Sequence, residues 1–110
     1  FATGYFLTAE RMRWYFERYF QQGEDYCQMS ALHAEINPLT PPTLIFTAGF
    51  DPLRDEGWAY AQKLQAASIP VEHKQFDDLI HAYLNLEDLC AEDCAATYAQ
   101  IGAFLNRPTP

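Results

Sequence analysis

The sequence is poor in basic residues. Seven Lys and Arg stand against fifteen Asp and Glu, so the formal net charge is −8 at pH 7. Binding to a nucleic acid depends on cationic side chains that displace the counterions of the phosphates. The charge balance therefore argues against a nucleic-acid partner.

Long apolar runs are also absent. No stretch approaches the roughly eighteen apolar residues that cross a membrane, and no charged segment leads into an apolar one. We therefore predict no transmembrane segment and no signal peptide. The chain begins with Phe1 and not with Met, which leads us to expect a segment of a longer protein.

Cysteine is scarce, and its spacing forms no metal clamp. The three cysteines are Cys27, Cys90 and Cys94, an odd number without a Cys-x-x-Cys pair. Cys90 and Cys94 lie one helical turn apart and would form a disulfide only with distortion. We therefore expect free thiols in a reducing, cytoplasmic compartment, and neither a metal nor a cofactor.

The sequence lacks the motif that presents a nucleophilic serine. Such a serine lies on a tight turn between a strand and a helix, usually written Gly-x-Ser-x-Gly, because the glycines permit the strained turn. The two serines are Ser30 and Ser68, and glycine flanks neither of them. We expect neither to act as the nucleophile of an acyl-transfer enzyme.

The hydrophobic pattern predicts an α/β fold with one parallel βαβ unit and flanking helices. The 110 residues, 49% of them apolar, suffice for one domain with a modest core. The apolar run from Thr43 to Gly49 predicts a strand covered on both faces. The polar stretch from Val71 to Phe76 predicts a strand at the sheet's edge. Between them, Asp55 to Ala67 predicts a helix. Its inward stripe is Gly57, Ala61 and Leu64.

Two further helices are predicted on either side of this unit. Thr8 can cap a helix that continues to about Gln22 and stops at Gly23. The region from 24 to 42 is a connecting loop with a short helical turn at Ser30 to Glu35. The final helix, near Asp93 to Leu105, would cover the sheet through Tyr98, Ile101, Phe104 and Leu105. The first helix carries an aromatic stripe that we interpret as core or interface packing. Its members are Met12, Tyr15, Phe16, Tyr19 and Phe20.

Asp51 and His81 are the candidate catalytic residues. Asp51 directly follows the first predicted strand, and His81 follows the second by a five-residue loop. Because the carboxyl ends of parallel strands meet at one edge of a sheet, the two side chains should lie within reach of each other. A carboxylate that binds an imidazole selects the tautomer that can accept a proton from a serine.

Structural alternatives stay open for each histidine and for Asp51. Asp51 could be a helix cap or a turn residue, although Asp55 fits the cap better. His81 could be an ordinary loop histidine. We interpret His33 as an exposed loop residue and His73 as a surface residue of the edge strand.

The sequence resembles the C-terminal part of the hormone-sensitive-lipase-like family of α/β-hydrolases, from about Leu7 to Leu105. The resemblance rests on the strings Phe50-Asp51-Pro52-Leu53-Arg54-Asp55-Glu56-Gly57 and Ile80-His81-Ala82-Tyr83-Leu84-Asn85, and on Ile69-Pro70-Val71 between them. It implies that Asp51 and His81 are the acid and base of a catalytic triad. It also implies hydrolysis of carboxylic esters with short to medium acyl chains, without a cofactor.

The sequence departs from this family in two ways. Ala82 and Tyr83 replace the usual Gly and Phe after the histidine, which should narrow the adjoining pocket. The family's His-Gly-Gly-Gly segment and its Gly-Asp-Ser-Ala-Gly-Gly elbow are absent, and these supply the oxyanion hole and the nucleophile. The 110 residues are thus expected to be a partial domain that is inactive alone.

Two other functions remain open. A peptidase like prolyl oligopeptidase also places its Asp and His on successive C-terminal strands. The chain could instead be a non-catalytic module that forms homo-oligomers through the exposed edge of the strand from Thr43 to Gly49, whose backbone groups would be unpaired.

Overall fold

Two parallel strands, with a helix between them in the sequence, form the centre of the molecule. The computed structural model describes residues 1–108; Thr109 and Pro110, which belong to the predicted partial domain, lie outside the described residues. The elements are α1 (Ala9–Tyr19), β1 (Thr43–Phe50), α2 (Arg54–Ala66), β2 (Val71–Ile80) and α3 (Ala91–Leu105), with single 3-10 turns at Tyr83–Asn85 and Glu87–Leu89. The predicted parallel βαβ unit is confirmed.

β2 is longer than predicted. Thr43 pairs with Val71 and the register holds as far as Ala48 and Phe76, after which Phe50 pairs with Ile80. The predicted loop between Phe76 and His81 is therefore wrong, because these residues continue the strand through an irregularity. The exposed side chains of Asp77 and Asp78 are compatible with a strand at an edge, so their polarity did not signal a loop.

The irregularity depends on a glycine. A Cβ atom at Gly49 would lie 2.5 Å from the carbonyl carbon of Asp77 and 2.8 Å from its Cα. Only a residue without a side chain permits this approach of the two backbones. Gly49 thus allows β2 to shift register and continue to the position directly before His81.

The predicted inward stripe of α2 is confirmed. Leu64 is fully buried and Ala61 is nearly so. A Cβ at Gly57 would lie 2.6 Å from the Thr47 methyl group, which shows how closely α2 packs on β1. Small residues on this face therefore bring the start of α2, and the turn before it, against the end of β1.

The buried face of α3 agrees with the prediction only in part, since Ile101 and Phe104 are half-buried. Cys94 and Thr97 are fully buried, whereas Tyr98 and Leu105 are 51% and 74% exposed. Cys94 packs with Ala48 and Tyr83 in the core. Hydrophobicity alone did not place Thr97 on this face, because a threonine can be buried once its hydroxyl has a partner, as the Thr97 hydroxyl does.

α1 begins as predicted and ends earlier. The Thr8 hydroxyl accepts a hydrogen bond from the Arg11 N–H at 3.2 Å. The helix stops at Tyr19, ahead of the predicted Gln22, so Gly23 with φ of 72° lies in the following loop. No residue of α1 is buried, and Tyr19 is 80% exposed. Its aromatic stripe is therefore not core within the described residues.

The loop after α1 and the two other histidines agree only partly with expectation. The loop contains the turns 26–29 and 31–34 but no helix, and His33 is exposed as predicted. His73 is half-buried, with Nε2 2.8 Å from the Thr47 hydroxyl and its ring edge-on to Trp58. Its interpretation as a surface residue is wrong because α2 covers this side of β2, and that burial lowers the pKa of His73.

Candidate active site

Asp51 and His81 are in direct contact. Nδ1 of His81 lies 2.8 Å from Oδ2 of Asp51. Each residue directly follows the last residue of a strand, Phe50 of β1 and Ile80 of β2, and these two residues are register partners in the sheet. Parallel pairing therefore places the two side chains side by side at the carboxyl edge of the sheet.

The turn from β1 into α2 fixes the Asp51 carboxylate. Oδ1 accepts a hydrogen bond from the Leu53 N–H at 2.8 Å, which leaves Oδ2 for the histidine. The Asp51 carbonyl accepts from the Arg54 N–H at 3.0 Å, and the Arg54 guanidinium donates to the Gly49 carbonyl at 3.2 Å. With its side chain only 12% exposed, the carboxylate has a defined orientation.

Asp51 therefore combines the turn role that was the alternative to catalysis with its contact to His81. Asp51 is indeed a turn residue at the start of a helix, since it binds the Leu53 N–H. The preference for Asp55 as the cap is wrong, because Leu53 occupies the cap position and Asp55 is exposed in an ion pair with Arg54. One carboxylate serves both the helix start and the histidine.

The imidazole of His81 is oriented by this contact. A carboxylate only accepts hydrogen bonds, so a neutral imidazole donates from Nδ1 and carries its lone pair on Nε2. Among residues 1–108, Nε2 has no hydrogen-bond partner, and the side chain is 36% exposed. The pair can thus accept a proton at Nε2 from a group that approaches from solvent.

Ala82, directly after the histidine, has a left-handed backbone. Its φ and ψ are 62° and 27°, a conformation that costs most non-glycine residues about 1–2 kcal/mol. The Asn85 N–H donates to the Ala82 carbonyl at 2.9 Å and closes the turn. Sequence reasoning treated this position only as a pocket-narrowing change and missed its backbone strain, although the family's glycine was the available signal.

A cleft of about 710 Å³ opens beside the pair. The end of β1, the start of α2 and the segment after His81 form its walls. Its apolar lining includes Phe46, Leu53, Tyr60 and Leu84, and Arg54 and Glu56 supply charge. A space of this size and polarity suits a small, mostly apolar molecule.

Neither serine is bonded to His81 in the described part of the chain. Ser30 lines the cleft, and its N–H donates to the Cys27 carbonyl at 3.3 Å. Ser68 follows α2 and precedes β2, at the opposite end of the sheet from His81. The described residues therefore contain the Asp51–His81 pair without a serine bonded to it.

The three cysteines are free thiols, of which Cys94 is buried and Cys90 is half-buried. The Sγ atoms of Cys90 and Cys94 lie 3.7 Å apart, and Cys27 is exposed. Burial, with a contribution from the hydrogen bond to Cys90, raises the pKa of Cys94 to about 11.

Within residues 1–108, no three His, Cys, Asp or Glu side chains form a group that could hold a metal ion. None of the helices described is long and apolar enough to span a membrane.

The chain is similar to known proteins in both sequence and structure. A family model described as the alpha/beta hydrolase fold matches residues 1–85. The carboxylic ester hydrolase LipN of Mycobacterium tuberculosis is 38% identical over 94% of this chain and 28% of its own length. An ester hydrolase from the metagenome of Lake Arreo is 34% identical, with a TM-score of 0.84, over 96% of this chain and 35% of that one. A thermostable esterase from Pseudomonas putida is 39% identical, with a TM-score of 0.82, over 93% and 34%.

The chain belongs to the α/β-hydrolase family, in the hormone-sensitive-lipase-like group that its motifs resemble. It spans about a third of the length of these relatives.

Proposed function

We propose that the chain supplies the acid and the base, Asp51 and His81, of a Ser-His-Asp triad that hydrolyses small carboxylic esters. The single observation that supports this proposal most strongly is the 2.8 Å contact from Nδ1 of His81 to Oδ2 of Asp51, beside a cleft with an apolar lining. The ester hydrolases among its relatives favour an ester as the substrate.

Each residue has a defined role in this proposal. Nε2 of His81 removes the proton from a serine hydroxyl as the oxygen attacks the ester carbonyl, and later returns that proton to the leaving alcohol. Asp51 holds the tautomer and stabilises the imidazolium that forms. Because Oδ1 is bound to the Leu53 N–H, the carboxylate does not have to reorient during the reaction.

The nucleophile in this proposal comes from outside the 110 residues. Neither Ser30 nor Ser68 has the glycine-flanked turn that presents a reactive serine, and no oxyanion segment occurs in the sequence. The chain is then a partial α/β-hydrolase domain that needs no cofactor and is inactive alone. Its free thiols fit a reducing, cytoplasmic compartment.

The test uses the enzyme that carries this chain together with its nucleophile. Asp51→Asn, which places an amide against Nδ1, should lower kcat for a short-chain nitrophenyl ester about 10³- to 10⁴-fold. His81→Ala should do the same. Asp55→Asn is the matched control and should stay within about twofold, because the Asp55 side chain is exposed and pairs with Arg54 at the surface. Near-normal turnover by either of the first two variants contradicts the proposal.

Two further measurements test the inactivity of the isolated chain and the choice of an ester as the substrate. The isolated 110-residue chain should hydrolyse the same ester no faster than buffer. The complete enzyme should leave a proline-containing anilide uncleaved, whereas a peptidase like prolyl oligopeptidase would cleave it. Efficient anilide cleavage would move the assignment from esterase to peptidase.

One observation favours self-association as a second function. The sheet has only two strands among the described residues, so one edge of β1 has no strand beside it. Unpaired backbone groups at such an edge can pair with another chain, which in this case would give a homo-oligomer. Sedimentation velocity should then show dimers or larger species as concentration rises. A monomer at every concentration, with β1 amides protected from hydrogen exchange, contradicts this function.

A further inference from the structure

Tyr83 connects the His81 segment to α3. Its ring is only 7% exposed and packs with Ala48 and Cys94 in the core. The ring also lies 5.4 Å from that of Phe76 in β2, measured between centroids. Only Ala82 separates Tyr83 from His81, so the position at which Tyr83 is held constrains the backbone directly after the histidine.

The hydroxyl of Tyr83 has one defined partner. It lies 2.8 Å from the Thr97 hydroxyl, which itself donates to the Asp93 carbonyl at 2.8 Å. A hydroxyl has a single proton, so Tyr83 is the donor in its bond to Thr97. Burial raises the pKa of Tyr83, which keeps this donor protonated.

The backbone of Tyr83 is held as well. Its carbonyl accepts from the Leu86 N–H at 2.8 Å and from the Cys90 and Cys94 thiols at 3.4 and 3.7 Å. Tyr83 is therefore attached to α3 through its hydroxyl and to the segment that leads into α3 through its carbonyl. Tyr83, which is held by these hydrogen bonds, directly follows the strained backbone of Ala82.

The strain lies at Ala82, in the left-handed conformation. A conformation of this kind persists only where the surrounding structure over-determines it. Ala82 thus adds backbone strain beside His81, and the Tyr83 hydroxyl adds a hydrogen bond that opposes it.

We propose that the hydroxyl of Tyr83 positions His81, because its bond to Thr97 holds Ala82 in the left-handed conformation and thereby keeps Nδ1 on Asp51. Tyr83 is then a positioning residue that acts through His81 without contacting substrate. The effect on turnover rests on the proposed ester hydrolysis, whereas the effect on the Asp51 contact does not.

The direct test is NMR of the 110-residue chain. The hydrogen-bonded Nδ1–H of His81 should give a downfield proton resonance in the wild-type chain. Tyr83→Phe should broaden or remove it, and the double variant Ala82→Gly/Tyr83→Phe should restore it because glycine removes the strain. Tyr98→Phe, on the exposed side of α3, is the matched control and should leave the resonance unchanged.

A second pair of variants covers the case in which Tyr83→Phe does not fold. Thr97→Ser keeps the acceptor hydroxyl and should retain the resonance, whereas Thr97→Val should lose it. Retention of the resonance in Tyr83→Phe or in Thr97→Val, or failure of the double variant to restore it, overturns the proposal.

Kinetics provide an independent readout in the complete enzyme. Tyr83→Phe should lower kcat about three- to tenfold, the range that one hydrogen bond supports, with KM within about twofold. Unchanged kcat, or a change in KM alone, contradicts the positioning role. If the wild-type enzyme has no esterase activity, the proposed function fails, and the NMR result still decides the role of Tyr83.

Discussion

Gly49→Ala is the substitution for which the structure predicts the clearest loss of stability. The new Cβ would overlap the Asp77 carbonyl oxygen and lie 2.5 Å from the carbonyl carbon, whereas ordinary contact begins at 3.4 Å, so the two strands must separate by more than about 0.9 Å. The neighbour is backbone in the middle of β2 and cannot rotate away. We expect a loss of about 2–4 kcal/mol in the free energy of unfolding, at or above the usual cost of overpacking.

Gly102→Ala is the matched control for this perturbation. Gly102 lies within α3, and a Cβ there has nothing within 4 Å. The same chemical change should stabilise the chain by about 0.5–1 kcal/mol, because alanine is the better helix former. The two variants thus differ in the sign of the effect, because the new Cβ meets backbone at Gly49 and open space at Gly102.

Thermal unfolding followed by circular dichroism measures both variants. At about 4–8 °C per kcal/mol for a domain of this size, Gly49→Ala should lower Tm by about 10 °C or more and Gly102→Ala should raise it by a few degrees. A Tm for Gly49→Ala within about 2 °C of wild type would refute the close approach of the two strands. It would also remove the physical reason for the register shift before His81.

Three further outcomes are expected. Ala82→Gly should stabilise the chain by about 0.5–1 kcal/mol in urea unfolding, because the left-handed strain exceeds the entropy cost of glycine; a loss of stability contradicts the strain. The lowered pKa of His73 means that the unfolded chain binds a proton more readily, so stability should fall as pH drops below about 6.5. His73→Gln should weaken that acid dependence, and an unchanged pH profile excludes His73 as its source. With iodoacetamide at pH about 8, Cys27 should react first and Cys94 last, since burial raises the pKa of Cys94 to about 11; mass spectrometry of peptides shows the order, and early labelling of Cys94 contradicts its burial.

The βαβ unit could be predicted because local pattern and tertiary environment agree there. An unbroken apolar run at β1, a small-residue stripe on α2 and a polar second strand each have one common structural solution. The same agreement located Asp51 and His81, since residues after parallel strands share one edge of the sheet. Their catalytic roles remain a proposal.

Where local pattern and tertiary contact differ, prediction from the sequence failed. The end of β2 could not be read from Asp77 and Asp78, because their place in a strand depends on the missing side chain of Gly49 across the sheet. The buried face of α3 was misjudged because Thr97 is buried by virtue of a hydroxyl partner that lies fourteen positions away in the sequence.

The amino-acid sequence alone indicated that Asp51 and His81 come after two parallel strands, and with this it indicated the candidate acid and base. Only the tertiary structure decided how they are held: Oδ1 of Asp51 on the Leu53 N–H, Oδ2 on His81, and Tyr83 attached to α3. The reason is physical. Strand and helix periodicity is a local property of the chain, whereas a hydrogen bond between distant side chains exists only after packing has brought them together.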